Sequence, residues 1–193
     1  MSQRYEVRLS GSGGQGLIMA GIILAEAAGI YEGKHVCQTQ SYGPEARGGA
    51  SKAEVVISDE EIDYPKAIKP DLLLAMNQKA CDSYFFDLNP KGMLIVDSTF
   101  VKQVPTTRAI PIPFTQIART ELKKEMVANI IALAALAKLT GIVSLKSLEA
   151  AVLNRVPPGT EELNKKALEA GIEAAESYME EKAGREGYEM SDE

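Results

Sequence analysis

Alternation of apolar and polar residues from Tyr5 to Leu9 predicts a short strand. It leads into the glycine cluster Gly11, Gly13, Gly14, Gly16 and then an Ala- and Leu-dominated helix to about Tyr31. After Gly33 a second strand, about His35 to Gln40, completes a βαβ unit, with a right-handed crossover and the two strands parallel. Only about ten residues, Ser41 to Ser51, precede the next apolar run, Lys52 to Ser58, and Gly43-Pro44 and Gly48-Gly49 mark turns there. A crossover helix does not fit in that length. Strands two and three are therefore expected to pair antiparallel, making the sheet mixed.

Asp71 to Met76 and Met93 to Asp97 are short apolar runs of the buried parallel type, separated by a helical stretch from Asn77 to Leu88. Arg108 to Pro113 carries Pro111 and Pro113 and is at best an edge strand, because proline cannot donate to a ladder. From Gln116 onward only helices are predicted. The one near Glu125 to Leu139 is apolar almost all round, so this chain or a partner must cover it on more than one side. Ser144 and Thr160 are N-cap candidates for helices to about Asn154 and Lys182, and Pro157-Pro158-Gly159 separates the two. The expected fold is α/β: a Rossmann-like mixed, mostly parallel sheet with helices on both faces and a helical C-terminal third. Residues 1–182 are expected to form a single domain and 183–193 an acidic, flexible tail.

Charge changes this picture little. The chain carries 21 Lys and Arg against 27 Asp and Glu, a net charge of -6. From Glu180 to Glu193, six acids face only Lys182 and Arg185, so that segment alone holds -4 and the rest is close to neutral. No broad basic face for nucleic acid is expected, although a local anion site fits. The apolar stretches Leu17 to Ile30 and Met126 to Leu139 are interrupted and short for a membrane span. Residues Met1 to Arg8 lack a signal-peptide layout. Cys37 and Cys81, with no CxxC, cannot supply an iron-sulfur or zinc set and suit a reducing compartment, so a cytoplasmic location without membrane contact is expected.

Gly11-Ser12-Gly13-Gly14-Gln15-Gly16 matches GxGxxG between a strand and a helix, the context that gives the pattern meaning. Glycines allow close backbone approach, and the free N–H groups and dipole of a helix beginning at Leu17 favour a phosphate. The competing reading is a tight turn without a ligand. NAD is disfavoured, because Val36 to Gln40 carries no acidic residue to hold a ribose. The loop Ser41-Tyr42-Gly43-Pro44-Glu45-Ala46-Arg47-Gly48-Gly49 follows strand two and so shares the carboxyl rim of the sheet with the first loop. Arg47 offers a planar donor fork beside the unscreened N–H groups of Gly48 and Gly49, for a ligand or a partner; the competing reading is an internal contact with Glu45.

His35 is the only histidine and is read as structural, which leaves no His-pair metal site or catalytic triad, and no catalytic residue is assigned. Both cysteines read as buried, inert thiols. Asn129, alone among apolar residues, is either a buried polar anchor or a ligand contact. No GDG string for a metal-bound diphosphate occurs.

The strings GSGGQG and SYGPEARGG, then PDLLLAMNQ at Pro70 to Gln78 and the apolar helix carrying Asn129, together resemble the gamma subunit of 2-oxoacid:ferredoxin oxidoreductases. The resemblance spans roughly residues 4 to 180 and is nearest to the 2-oxoglutarate branch; SYGPEARGG is its specific part. It implies a complex with alpha, beta and ferredoxin-like delta subunits that decarboxylates a 2-oxoacid to an acyl-CoA and passes electrons to ferredoxin. Thiamine diphosphate, magnesium and [4Fe-4S] clusters would then sit on the partners, with none bound by this chain alone. This chain would then shape the active-site entrance and the coenzyme A path, with coenzyme A contact expected at Gly11, Gly13, Gly14, Gln15 and Gly16 and with Arg47, Gly48 and Asn129 as further binding candidates. The alternatives are a stand-alone nucleotide-dependent dehydrogenase and a flavin-binding or scaffolding module. Apolar surface on the first helix and on Met126 to Leu139 further predicts that the isolated chain forms a homodimer.

Overall fold

The computed structural model describes residues 4–41 and 50–189. Six strands form one sheet in the order β2-β3-β1-β4-β5-β6. These are β1 (Tyr5–Ser12), β2 (His35–Ser41), β3 (Ala50–Ser58), β4 (Leu72–Ala75), β5 (Met93–Asp97) and β6 (Ile110–Ile112). β1, β4, β5 and β6 pair parallel, while β3 is antiparallel to both β1 and β2, so the sheet is mixed and mostly parallel as expected. β1 and β2 run the same way but are not neighbours: β3 lies between them, its Ala53, Val55 and Ile57 on one face with the helix that follows β1. β6, with Pro111 at its centre, is the far edge strand.

Six helices complete the fold among the described residues: α1 (Leu17–Glu26), α2 (Gln78–Tyr84), α3 (Phe114–Thr120), α4 (Ala128–Thr140), α5 (Leu145–Arg155) and α6 (Glu161–Glu189). α1 continues into a π-helical turn, Ala27–Tyr31, and α4 is entered through a 3-10 turn, Glu125–Val127. Ser144 caps α5, its hydroxyl accepting from Ser147 N–H at 3.1 Å. Thr160 precedes α6, but its hydroxyl donates to the Pro157 carbonyl and accepts from the Asn164 amide. α6 passes the expected end at Lys182 and runs to Glu189.

Helices cover both faces. On the first, Val7, Leu9, Val55, Leu72, Leu74 and Ile95 pack against α1, α3, α4, α5 and α6. On the second, Leu73, Ala75, Leu94 and Val96 meet α2 through Ala80 and Cys81. The expectation that the apolar helix leaves surface for a partner is corrected: every residue of α4 from Ala128 to Ala137 is buried by this chain. The physical reason is Gly171 of α6. A Cβ there would overlap the Ile131 carbonyl oxygen and lie 2.8 Å from Ala134 Cβ, so α6 rests almost backbone to backbone on α4. Only Met126, just ahead of α4, stays 77% exposed. α1 and α5 are tied by Glu26, whose buried carboxylate accepts from Asn154 and Arg155.

Candidate functional site

β1 extends further than its apolar residues suggest, and Gly11 and Ser12 belong to the strand, paired with Ser51 and Ala50. The glycine turn is therefore Gly13-Gly14-Gln15, not the whole GxGxxG. Gln15 closes it internally: Oε1 accepts from Ser12 N–H at 2.7 Å and Nε2 donates to the Met76 carbonyl at 3.1 Å, at the end of β4. A Cβ on Gly11 would strike that Gln15 oxygen and lie 3.0 Å from Met76 Cβ, so glycine is required there for packing. Asn77 joins the same corner; Nδ2 donates to Ser12 Oγ at 2.7 Å while Oδ1 caps α2 by accepting from Ala80 N–H.

Gly16 has a left-handed backbone (φ 70°) at the N-cap of α1. The space a side chain would fill is taken by Asn129, whose Nδ2 donates to the Gly16 carbonyl at 3.1 Å. Asn129 is 8% exposed and lies in the first turn of α4. This contact brings together two predicted site residues 113 positions apart, and with them the N-termini of α1 and α4, neither of which has a side-chain cap. Two positive dipole ends thus converge at the carboxyl rim of the sheet. Gly13 and Gly14 differ from their neighbours: a Cβ at either would meet nothing within 4 Å, and neither has a positive φ. No internal contact explains glycine at these two positions.

α1 and α2 leave β1 and β4 toward opposite faces, so the turn lies at the topological switch of the sheet, where open α/β folds receive ligands. Arg47 and Gly48 lie outside the described residues. The strands flanking their loop end on the same rim, since Ala50 pairs with Ser12 and Ser41 with Lys52. Along that rim Asp97, fully buried at the end of β5, is consumed by the fold: it accepts from Thr99 N–H, Thr115 N–H and the Thr115 hydroxyl. Arg119 donates to Glu125 at 2.8 Å and stacks on Phe100; its hydrogen bond holds the Glu125 carboxyl below the usual range.

His35 begins β2 opposite Ser58, at the other end of the sheet from the turn, and takes no part in the site. Cys81 is buried against the second face, and desolvation pushes its thiol up to about 11, whereas Cys37 is half-buried on β2. A feature that sequence reasoning missed is a charged cluster on that second face. Arg8, 3% exposed, donates to Glu54 at 2.8 Å and to Asp87, and its guanidinium lies under the Tyr84 ring; Lys52 also pairs with Glu54. The signal was the opposite charge at directly paired positions of β1 and β3, visible only once the register is known. Among the described residues no three His, Cys, Asp or Glu side chains group as a metal-ligand set, and no helix is long and apolar enough to cross a membrane. Among the described residues the rim therefore offers backbone N–H groups, helix ends and an amide, chemistry suited to receiving an anion.

Residues 6–174 match the family described as pyruvate ferredoxin/flavodoxin oxidoreductase. The 2-oxoglutarate synthase subunit KorC of Methanocaldococcus jannaschii is 53% identical over 180 residues, 91% of this chain and 96% of that protein. The pyruvate/ketoisovalerate oxidoreductases common subunit gamma of Thermococcus litoralis is 33% identical over 183 residues, 90% of this chain and 97% of that one. The crystal structure of a keto/oxoacid ferredoxin oxidoreductase gamma subunit from Geobacter sulfurreducens superposes with a TM-score of 0.83 at 49% identity, covering 91% of this chain and 98% of that one.

Proposed function

The chain belongs to the pyruvate ferredoxin/flavodoxin oxidoreductase family, as one subunit of a multi-subunit 2-oxoacid:ferredoxin oxidoreductase, and from that premise we propose that it forms part of the coenzyme A path of an enzyme acting on 2-oxoglutarate. This membership displaces the stand-alone dehydrogenase and flavin-module readings. In the proposed reaction the bond between C1 and C2 of the 2-oxoacid breaks, CO2 leaves, the thiol of CoA gives up its proton and takes the acyl group, and two electrons pass to two ferredoxins. Thiamine diphosphate, bound with magnesium on a partner subunit, supplies the electron sink for decarboxylation, and [4Fe-4S] clusters on partners carry the electrons.

The preference for 2-oxoglutarate is supported by 53% identity to the KorC relative against 33% to the pyruvate/ketoisovalerate gamma subunit. That second relative is named as common to two enzymes, which favours placing the choice of oxoacid on other subunits. Alpha, beta and ferredoxin-like delta chains are the partners in this reading. The isolated chain has no electron path and no dye-reduction activity, pairs with itself, and works in a reducing cytoplasm.

The observation that carries the CoA reading is the pair Gly13 and Gly14. They need glycine neither for packing nor for φ, yet stand beside two converging helix N-termini at the switch point. An external phosphate approaching their backbone closely gives a reason for the missing side chains. Gly11, Gln15, Gly16 and Asn129 build and hold this corner, and Arg47 with Gly48 supplies a second set of donors for the ligand or a partner subunit. Gly13→Val places a branched side chain in that approach. In the purified complex it is expected to raise the Michaelis constant for CoA about tenfold or more, with subunit stoichiometry and Tm unchanged. An unaltered CoA dependence in an intact complex would overturn the reading.

A further inference from the structure

Ser12 ends β1 and is the one exposed residue of that strand, directly ahead of Gly13 and Gly14. Its backbone groups are both engaged by Gln15: the N–H donates to Gln15 Oε1 at 2.7 Å and the carbonyl accepts from the Gln15 N–H at 3.1 Å. Its hydroxyl oxygen accepts from Asn77 Nδ2 at 2.7 Å.

The direction of that last bond is set from the far end of the amide. Asn77 Oδ1 accepts from the Ala80 N–H at 2.8 Å to cap α2, so the end that faces Ser12 is the NH2, which can only donate. Flipping the amide would set that NH2 against the Ala80 N–H and lose the cap. Asn77 therefore holds the Ser12 hydroxyl as an acceptor, and the hydroxyl's own proton must point elsewhere. Among the described residues that proton has no acceptor. The side chains that bond in this corner, Gln15, Asn77 and Asn129, are amides, none of them an acid that would attract it.

We infer that the Ser12 hydroxyl donates to the phosphate-bearing ligand of the turn, and that Asn77 is the positioning residue that directs the hydroxyl proton outward. The inference rests on the coenzyme A reading and deepens it, adding a side-chain donor to the backbone of Gly13 and Gly14. A neutral amide does here what its isosteric acid cannot. Aspartate at position 77 would still cap α2, but its second oxygen would draw the Ser12 proton inward and place a negative charge beside the ligand.

The test is coenzyme A binding and turnover in the purified complex. Ser12→Ala is expected to raise the dissociation and Michaelis constants for CoA about tenfold, as for one lost hydrogen bond to a charged group, with a smaller effect on kcat at saturating CoA and an unchanged Tm. Ser12→Thr keeps the hydroxyl and is expected to stay within about twofold of wild type in the same constants. Asn77→Asp is expected to raise them more than Ser12→Ala does, while Tm holds, because aspartate caps a helix as well as asparagine. In a Ser12→Ala background the same change should cost less, since the proton it captures is gone.

An Asn77→Asp effect as large in that background as alone overturns the role given to Asn77. Equal weakening by Ser12→Ala and Ser12→Thr would assign the loss to packing and overturn the role of the hydroxyl. Unchanged CoA constants in Ser12→Ala, with Gly13→Val still raising them, overturn this inference and leave the coenzyme A reading standing. If Gly13→Val has no effect either, the reading falls and the inference with it.

Discussion

On one face of the sheet Leu9, Val55, Leu74 and Ile95 are buried under α1, α4 and α6, whereas on the other Arg8 and Glu54, 3% and 5% exposed, are buried as an ion pair. β1 and β3 supply Leu9 and Val55 to the first face and Arg8 and Glu54 to the second, by alternation. Apolar burial is non-directional and tolerates small shifts of the helices above it. The pair depends on geometry: Arg8 must reach Glu54 and Asp87 together, with Tyr84 over the guanidinium and Lys52 sharing the Glu54 Oε1 that Arg8 uses. The first face thus supplies stability, and the second fixes how α2 and its following turn, which carries Asp87, sit on the sheet.

The largest expected effect comes from breaking the polar face. Arg8→Met leaves the buried Glu54 carboxylate with Lys52 as its remaining cationic partner and is expected to cost about 3 kcal/mol in urea unfolding. Arg8→Met with Glu54→Leu removes the orphaned charge and is expected to recover at least half of that loss. If the double variant is no more stable than Arg8→Met, the cost comes from lost packing under Tyr84 rather than from an unpaired charge.

Next is the closest approach on the apolar face. Gly171→Ala forces a methyl against the Ile131 carbonyl, and since that neighbour is backbone, α6 must lift from α4. The expected loss is about 2 kcal/mol, read as a lower urea midpoint with an unchanged slope. A gain as large as that expected of an exposed Gly184→Ala control, where a helix interior favours alanine, would show that the face absorbs the methyl by sliding, and the contrast between the faces would sharpen accordingly.

These two sites also mark where the sequence is legible. The strands, the mixed sheet and the glycine turn could be read from periodicity and from the length of the Ser41–Ser51 connection, because both are local signals. The partner of the apolar helix could not, because Gly171 is one small residue on a helix more than thirty positions later, and nothing local says what it touches. The strand continuing through Gly11 and Ser12 depends on pairing with β3, which overrides the low strand preference of glycine. Half of the site was legible as GxGxxG. That Gly16 is held by Asn129, and that Gly13 and Gly14 are the glycines of GxGxxG unexplained by packing, emerges only when two distant helix starts are brought together.

The smallest expected effect divides the second face itself, whose β4 and β5 half is apolar and dry while its β1 and β3 half is charged. Cys81 belongs to the apolar half, packed with Leu73, Leu94 and Val96, and burial raises its thiol from the ordinary value near 9 to about 11, Asp82 adding to the shift. The neutral thiol is thus favoured in the folded chain, so its contribution to stability is complete below pH 9 and is lost as pH rises from 9 through about 11. Wild type is expected to lose more stability over that interval than Cys81→Ala does, by urea unfolding at either end. In the native chain at pH 8 a thiol reagent should modify Cys37, which is half-buried on the edge strand, and reach Cys81 only on unfolding. Equal native reactivity of the two thiols would show that water enters beneath α2, and the dry half of that face would not exist.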